Sequence, residues 1–246
     1  MDVLHVDNHL LVVFKPAGMP AQADETGDPD LLTTAKAWLK DRFQKPGNVF
    51  LGLVHRLDRP ASGIMVLART SKSAARLTEQ FKKRTVHKRY FALVEGSLTG
   101  SGSWRDHIVK EDRRPRITGA ATPGAREARL AWTALATDGR LTLVDVELFT
   151  GRPHQIRLQF AHRGLPLLGD LRYGAAAPFD GRNLALHAYS LALTHPTLKQ
   201  DLGWIRRPPP TWDGRFDDAT ARQCRGLACD ARFRSDGDRE NLHGST

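Results

Sequence analysis

The chain has only two cysteines in 246 residues, Cys224 and Cys229. Four residues separate them, and no second pair is present to complete a four-ligand zinc site. A disulfide-stapled scaffold is excluded by that count, and both are expected as free thiols in a cytosolic protein. No apolar run approaches the ~20 residues that cross a bilayer. The start, Met1-Asp2-Val3-Leu4-His5, has neither the charged n-region nor the long apolar core of a signal peptide. A cytoplasmic location without membrane attachment is therefore expected. There is no internal repeat, no dinucleotide fingerprint and no phosphate-binding Gly-rich loop.

What is present is positive charge. Lysine and arginine number 37 against 27 acidic residues, a formal excess of +10. Residues 201–246 hold eight of each sign, so the whole excess lies in residues 1–200. A basic excess of this size favours a polyanionic partner. At 40% hydrophobic residues the chain can bury a core.

The chemistry concentrates in two clusters. The first is His55-Arg56-Leu57-Asp58-Arg59-Pro60-Ala61-Ser62-Gly63, between the apolar runs Phe50–Val54 and Ile64–Ala68. Both runs read as strands, and Pro60 and Gly63 mark a turn. Positive neighbours favour the ionised form of a carboxylate. Asp58 can thus serve as nucleophile or base beside an anionic substrate, or it can cap the turn or pair with Arg56. The second cluster is Gly151-Arg152-Pro153-His154-Gln155-Ile156-Arg157-Leu158, followed by Gly169-Asp170 and Tyr173-Gly174. Pro153 suits the first position of a helix, and Gly164 suits the residue past its end. His154, Arg157 and Leu158 would share one face of that helix. Its first turn is a place to hold a carboxylate or phosphate, or it is an ordinary amphipathic surface.

Elsewhere, Leu10–Phe14 reads as a strand ended by Lys15-Pro16-Ala17-Gly18. Leu31–Phe43 has helical apolar spacing, and Thr70 or Ser71 can cap a helix running to about Lys83. That helix and its exit are the densest basic stretch, with Lys72, Arg76, Lys82, Lys83 and Arg84, then Lys88 and Arg89. It is a solvated face or a phosphate-contact surface. Residues 100–128, rich in Gly, Pro and Arg, read as an irregular, mobile excursion. Arg140–Leu148 alternates like a strand. A polar Arg/Asp-rich tail, 206–246, is expected to be partly disordered and poorly packed after about residue 215.

Taken together, these blocks resemble the RluA-type pseudouridine synthases. His55-Arg56-Leu57-Asp58 with Ser62-Gly63 resembles the family's catalytic motif. In the family's order, Asp7–Gly18 resembles its opening strand and Lys-Pro-x-Gly turn, and Lys88–Gly96 resembles its Lys-x-Tyr strand. Gly151–Leu158 resembles its Gly-Arg-Thr-His-Gln-Ile-Arg motif, and Leu186-His187-Ala188 with His195-Pro196 resemble its final strands. The ordered set spans roughly residues 1–200 and is specific, whereas any block alone would be weak. Three positions depart from the pattern: Ala61 and Pro153 stand where the family has Thr, and Gln159 where it has His.

The resemblance implies an α+β fold with a long mixed, mostly antiparallel sheet, flanked by helices and loops, and a cleft holding Asp58. It implies a catalytic domain over 1–205 with no amino-terminal S4-like domain, and isomerisation of uridine to pseudouridine in rRNA or tRNA. No metal or cofactor is implied, no protein partner is required, and monomer is the default. Asp58 would be the catalytic carboxylate, by attack on the sugar, addition to the base or proton abstraction. Tyr90 would stack on the base, and Arg157 would pair with Asp58. Arg56 would fill the stack vacated by a flipped nucleotide. Lys15, Lys88 and Arg152 are candidate RNA contacts, and His55 and His154 are candidates for general acids or for orienting loop and helix. Two other classes fit parts of the sequence. One is a glycosidase-like hydrolase using Asp58 and Glu95, which needs two carboxyls facing one sugar. The other is a catalytically idle RNA-binding or chaperone protein of the same fold.

Overall fold

The computed structural model describes residues 1–111, 114–181, 183–212, 214, 216–230 and the backbone of 233–234. The chain divides into two compact units. The first comprises Met1–Val86, Tyr189–Arg207 and the described residues from Arg222 onward; the second comprises His87–Ala188 and Pro208–Ala221. This division does not follow the expected boundary at residues 205/206.

In the first unit, β1 (Val3–Val6) pairs antiparallel with β2 (Leu10–Lys15), and β2 with β4 (Ser62–Ala68), in a register that sets Val12 opposite Val66 and Lys15 opposite Gly63. The short strand β3 (Gly52–Leu53) also pairs with β4. Every residue of β4 is buried, consistent with its continuous apolar run. Helix α1 (Leu31–Arg42) starts where Asp30 accepts from the Thr33 N–H, and it buries Leu31, Ala35 and Leu39 at fourfold spacing. Helix α2 (Ser71–Lys83) is capped by Thr70, which accepts from the Ser73 N–H, and ends at Arg84 in the left-handed region. Leu77 of α2 joins a core with Leu10, Val12, Ile64, Val66, Leu191, Leu193 and Trp204, leaving the helix's basic residues outside.

In the second unit five antiparallel strands lie in the order β5 (His87–Glu95), β9 (Leu141–Leu148), β8 (Arg126–Thr137), β6 (Ser101–Glu111) and β7 (Arg114–Thr118). The expected irregular excursion over 100–128 is therefore corrected: most of it is β6, β7 and the start of β8. Its Gly and Pro content hides a period of two, seen in the alternating exposure along Ser101–Asp106. Pro115 is tolerated because β7 lies at the end of the strand order, where a missing N–H costs no ladder bond. Helix α3 (Gln155–Ala161) is short and almost wholly buried.

β10 (Leu186–Thr194) pairs antiparallel with β11 (Asp201–Ile205), and β12 (Phe233–Arg234) adds to β11 in parallel. The expected loose packing after residue 215 is also corrected for residues 217–228. They form α4 (Asp217–Ala228), in which Ala219, Thr220 and Cys224 are buried. The small and polar residues of this segment carry enough apolar spacing for one helical face. Residues 235–246 of the expected tail lie outside the described residues. Among the described residues no helix is long and apolar enough to cross a membrane.

Candidate active site

The Asp58 loop belongs to the first unit and is fastened on every side. Leu57 is buried and anchors it. The Ala61 N–H donates to the Asp58 carbonyl and closes the turn. Arg59 Nε donates to the Gly18 carbonyl at 3.0 Å, and the Gly18 N–H donates back to the Arg59 carbonyl at 2.9 Å. The same guanidinium reaches Thr26 Oγ1 and ion-pairs with Asp24 and Asp28. The hydrogen bond from Thr26 to Asp24 and that from Arg59 to Asp28 hold both carboxyls below the usual range. Gly63, the second residue of β4, has φ 134°, a backbone that favours glycine.

Lys15 is not a surface phosphate contact, which corrects the expectation for it. It is fully buried, and its Nζ donates to the carbonyls of Pro16 (2.9 Å), Met19 (2.8 Å) and Arg59 (3.1 Å). Three acceptors satisfy the three N–H groups of an ammonium. Burial pushes its pKa down to about 7, against the attraction of Asp58, with Arg59 adding to the depression. The ammonium thus ties the 15–19 turn to the loop and sets a positive charge near Asp58.

His55, partly buried, is engaged by the fold itself. Its Nε2 accepts from the Val66 N–H at 3.0 Å, next to where β3 stops pairing with β4, and its ring stacks on Phe81 at 4.7 Å. That acceptor role requires the proton on Nδ1 in the neutral ring. These two contacts tie the loop to β4 and α2. Arg56 is the opposite case: exposed, with no hydrogen bond or ion pair to any described residue.

The second unit holds the other candidates. Tyr90 lies on β5 opposite Val146, 7% exposed. Lys88, two residues earlier, lies on the same face of the strand. It is half-buried, and burial pushes its pKa down to about 8. Its Nζ lies close to Gly151 of the second cluster.

Helix α3 begins at Gln155, not at Pro153. His154 takes the left-handed conformation, with φ 53°, and precedes the helix, while its Nδ1 meets the Tyr173 hydroxyl at 2.7 Å. Pro153 fixes its own φ within the turn before the helix. His154 is thereby placed off the helical face expected to hold it with Arg157 and Leu158. Arg157 is 5% exposed and grips Asp170 in a fork, Nε to Oδ2 at 2.6 Å and Nη2 to Oδ1 at 2.8 Å. Its guanidinium also lies 5.0 Å from the Tyr173 ring centre. Gly169 permits this pairing. It has φ 84°, and a Cβ there would lie 2.6 Å from the Asn183 carbonyl oxygen and from Phe179 Cβ.

A buried polar chain fixes the rest of α3. Gln155 Oε1 accepts from Thr150 Oγ1 (2.7 Å) and from the Arg152 N–H (3.1 Å). Gln155 Nε2 donates to Gln159 Oε1 at 3.0 Å, and Gln159 Nε2 donates to Asp106 at 2.6 Å. Arg163 completes the chain on Asp106. Gln159, a departure from the family pattern, thus both accepts and donates within one network. Arg152 donates from Nε to the Glu127 carbonyl at 2.8 Å.

Sequence reasoning missed Asp170 as the carboxylate of Arg157, although Gly169-Asp170 was visible as a motif. It also missed the joint part of Gln155 and Gln159. Two buried amides four residues apart on a short helix were the available signal.

Residues 9–162 match the family model described as RNA pseudouridylate synthase. The chain is 35% identical over 199 residues to the uncharacterized RNA pseudouridine synthase YhcT of Bacillus subtilis, covering 80% of this chain and 65% of that protein. It is 36% identical over 212 residues to ribosomal large subunit pseudouridine synthase D of Xanthomonas campestris, covering 80% and 62% respectively. It therefore spans a little under two thirds of the length of both. Its match to tRNA pseudouridine synthase C of Salmonella typhimurium is 32% over 221 residues, covering 82% of this chain and 83% of that one. Among solved structures, human RNA pseudouridylate synthase domain containing 4 superposes with a TM-score of 0.70 at 25% identity, over 91% of this chain and 93% of that one.

Proposed function

This chain belongs to the RluA-type RNA pseudouridylate synthases, and from that premise we propose that it isomerises particular uridines of ribosomal or transfer RNA to pseudouridine. The observation that carries the reading is the immobilised Asp58 loop, tied down by Lys15, His55 and Arg59, inside the segment that matches the family model. A carboxylate used at a reacting centre must be aimed, and these side-chain ties aim this one.

In the proposed reaction the bond from C1′ to N1 of uridine breaks, the uracil turns, and C1′ bonds to C5. The C5 proton leaves and N1 gains one, so atoms balance without an oxidant or reductant. Asp58 supplies the anionic oxygen at the sugar–base junction. Tyr90 offers its ring to the base. Arg157 is the partner that the family resemblance assigns to Asp58, and Asp170 holds its guanidinium in one plane. Arg56, exposed and uncommitted, is suited to fill the stack that the flipped nucleotide leaves. Lys88 and Arg152 are suited to phosphate contacts.

The test is pseudouridine mapping by carbodiimide adducts and reverse-transcription stops, on total RNA from cells with and without the gene. Stops that vanish on deletion, return with wild type and stay absent with Asp58→Asn establish the activity and its carboxylate. Stops that return equally with Asp58→Asn overturn the assignment of Asp58, and stops that do not change on deletion favour an idle RNA-binding protein.

A further inference from the structure

On the second unit, beside Arg157 but outside the groups assigned above, lies a cleft of about 640 Å³ lined by Arg114, Pro115, Arg172 and Tyr173. Arg114 is the first residue of β7, and Arg172 belongs to the short turn of 3-10 helix Leu171–Tyr173. Among the described residues no carboxylate lines the cleft. Both arginines are exposed, and neither has an acidic partner among the described residues. That sets them apart from their neighbours. Arg116 pairs with Glu111, Arg105 with Glu127, Arg163 with Asp106 and Arg89 with Asp145. Arg126 and Arg140 are likewise exposed without an acidic partner among the described residues, but Arg114 and Arg172 are the two that line this one concavity.

The floor of the cleft is ordered. Tyr173 packs against Ile108, Ala128 and Leu158, and its hydroxyl meets His154. The Arg172 guanidinium lies 5.7 Å from the Tyr173 ring centre, an arrangement that limits its freedom before any ligand arrives. Pro115, which also lines the cleft, is buried and stiff. Two guanidinium forks lining one space suit an anion with several acceptor oxygens, such as a phosphate, better than a neutral sugar.

We propose that Arg114 and Arg172 bind a phosphodiester of the RNA chain in this cleft, next to the nucleotide that reaches Arg157. The proposal rests on the RNA-modifying reading and adds the position of one backbone contact. Tyr173 joins the two places, since it bears on Arg157, on His154 and on the cleft.

The experiment uses the full chain and a fluorescein-labelled single-stranded 12-nucleotide uridine-rich RNA, with binding measured from 50 to 300 mM salt. Arg114→Ala/Arg172→Ala is compared with wild type and with Lys40→Ala/Lys45→Ala, which removes the same charge from α1 and its exit. Each lost contact to single-stranded RNA should lower the slope of log K against log salt by about 0.7. The expected result is a slope shallower by about 0.7, for the one phosphate the pair holds, and affinity at least about tenfold weaker at low salt for the arginine pair, with the lysine pair near wild type. An unchanged slope, or an equal change in both pairs, overturns the proposal. Inorganic phosphate at millimolar concentration is run as competitor. Displacement of RNA from wild type but not from the arginine variant supports a phosphate site. Displacement of RNA by phosphate while the arginine variant retains wild-type RNA binding identifies a site for free phosphate and overturns the RNA contact. Pseudouridine formation is assayed on the same proteins. A wild type that makes pseudouridine with an unchanged arginine variant removes only the subsite; a wild type that makes none but shows the expected slopes removes only the activity.

Discussion

Lys15 shows how far a residue's part can lie from its type. A lysine on a turn in a basic, RNA-like sequence invites assignment to phosphate, yet this one is fully buried on three carbonyls. Nothing local distinguishes a buried lysine from an exposed one, because burial follows from the pairing of β2 with β4 and the return of the loop over it. Lys15→Met should strand those carbonyls without a donor and cost about 3 kcal/mol or more, read from denaturant midpoints. The pH dependence follows from the depressed pKa of about 7. Between that value and the unfolded one near 10.5 the unfolded chain binds more protons, so stability rises with pH across the window. Lys15→Met should abolish that rise. Asp170 makes the complementary case at Arg157. Asp170→Asn leaves a guanidinium that is 5% exposed without its carboxylate. It should destabilise by about 3 kcal/mol and lower kcat by roughly 100-fold through misplacement of Arg157. Because Asp170 acts through Arg157, KM for RNA should change far less than kcat.

At the scale of elements, what was legible depended on whether periodicity survived in the composition. The spacing in α1 and the cap of α2 were readable because the apolar residues and capping hydroxyl are all local. The start of α3 was not, since Pro153 and the left-handed His154 form a turn whose shape is fixed by Gln155 reaching back to Thr150 and Arg152. The strands β6 and β7 were hidden by Gly, Pro and Arg, residues that mark loops when counted but not when alternated. The segment after 206 was hidden for a similar reason. Its prolines and charges read as a tail, whereas Trp212 is 8% exposed and stands edge-on to Phe179 and His187, each 6.3 Å away. Trp212→Ala should therefore cost about 3 kcal/mol, seen as a lower thermal midpoint. A midpoint unchanged within error would restore the loosely attached tail.

For the whole molecule the governing quantity is the excess of +10, all of it in residues 1–200. Salt can act on such a chain in two ways, by screening ion pairs that hold the fold or by weakening attraction to a polyanion. The ion pairs near the site are of the first kind but poorly screened: Arg157 with Asp170 is buried, and the Asp145 partner of Arg89 is 1% exposed. Screening acts weakly on such pairs at the 0.05–0.3 M range where surface attraction collapses. The basic residues of α2, in contrast, are mostly exposed and point away from the core. Raising salt from 50 to 200 mM should therefore leave the thermal midpoint nearly unchanged while kcat/KM on RNA falls by about a thousandfold, if some six phosphates are contacted. At saturating RNA kcat should hold, because the chemical step depends on groups already fixed in place. A parallel fall in midpoint and kcat would instead show that the charge is structural, and that the site, rather than the encounter with RNA, is what salt disturbs.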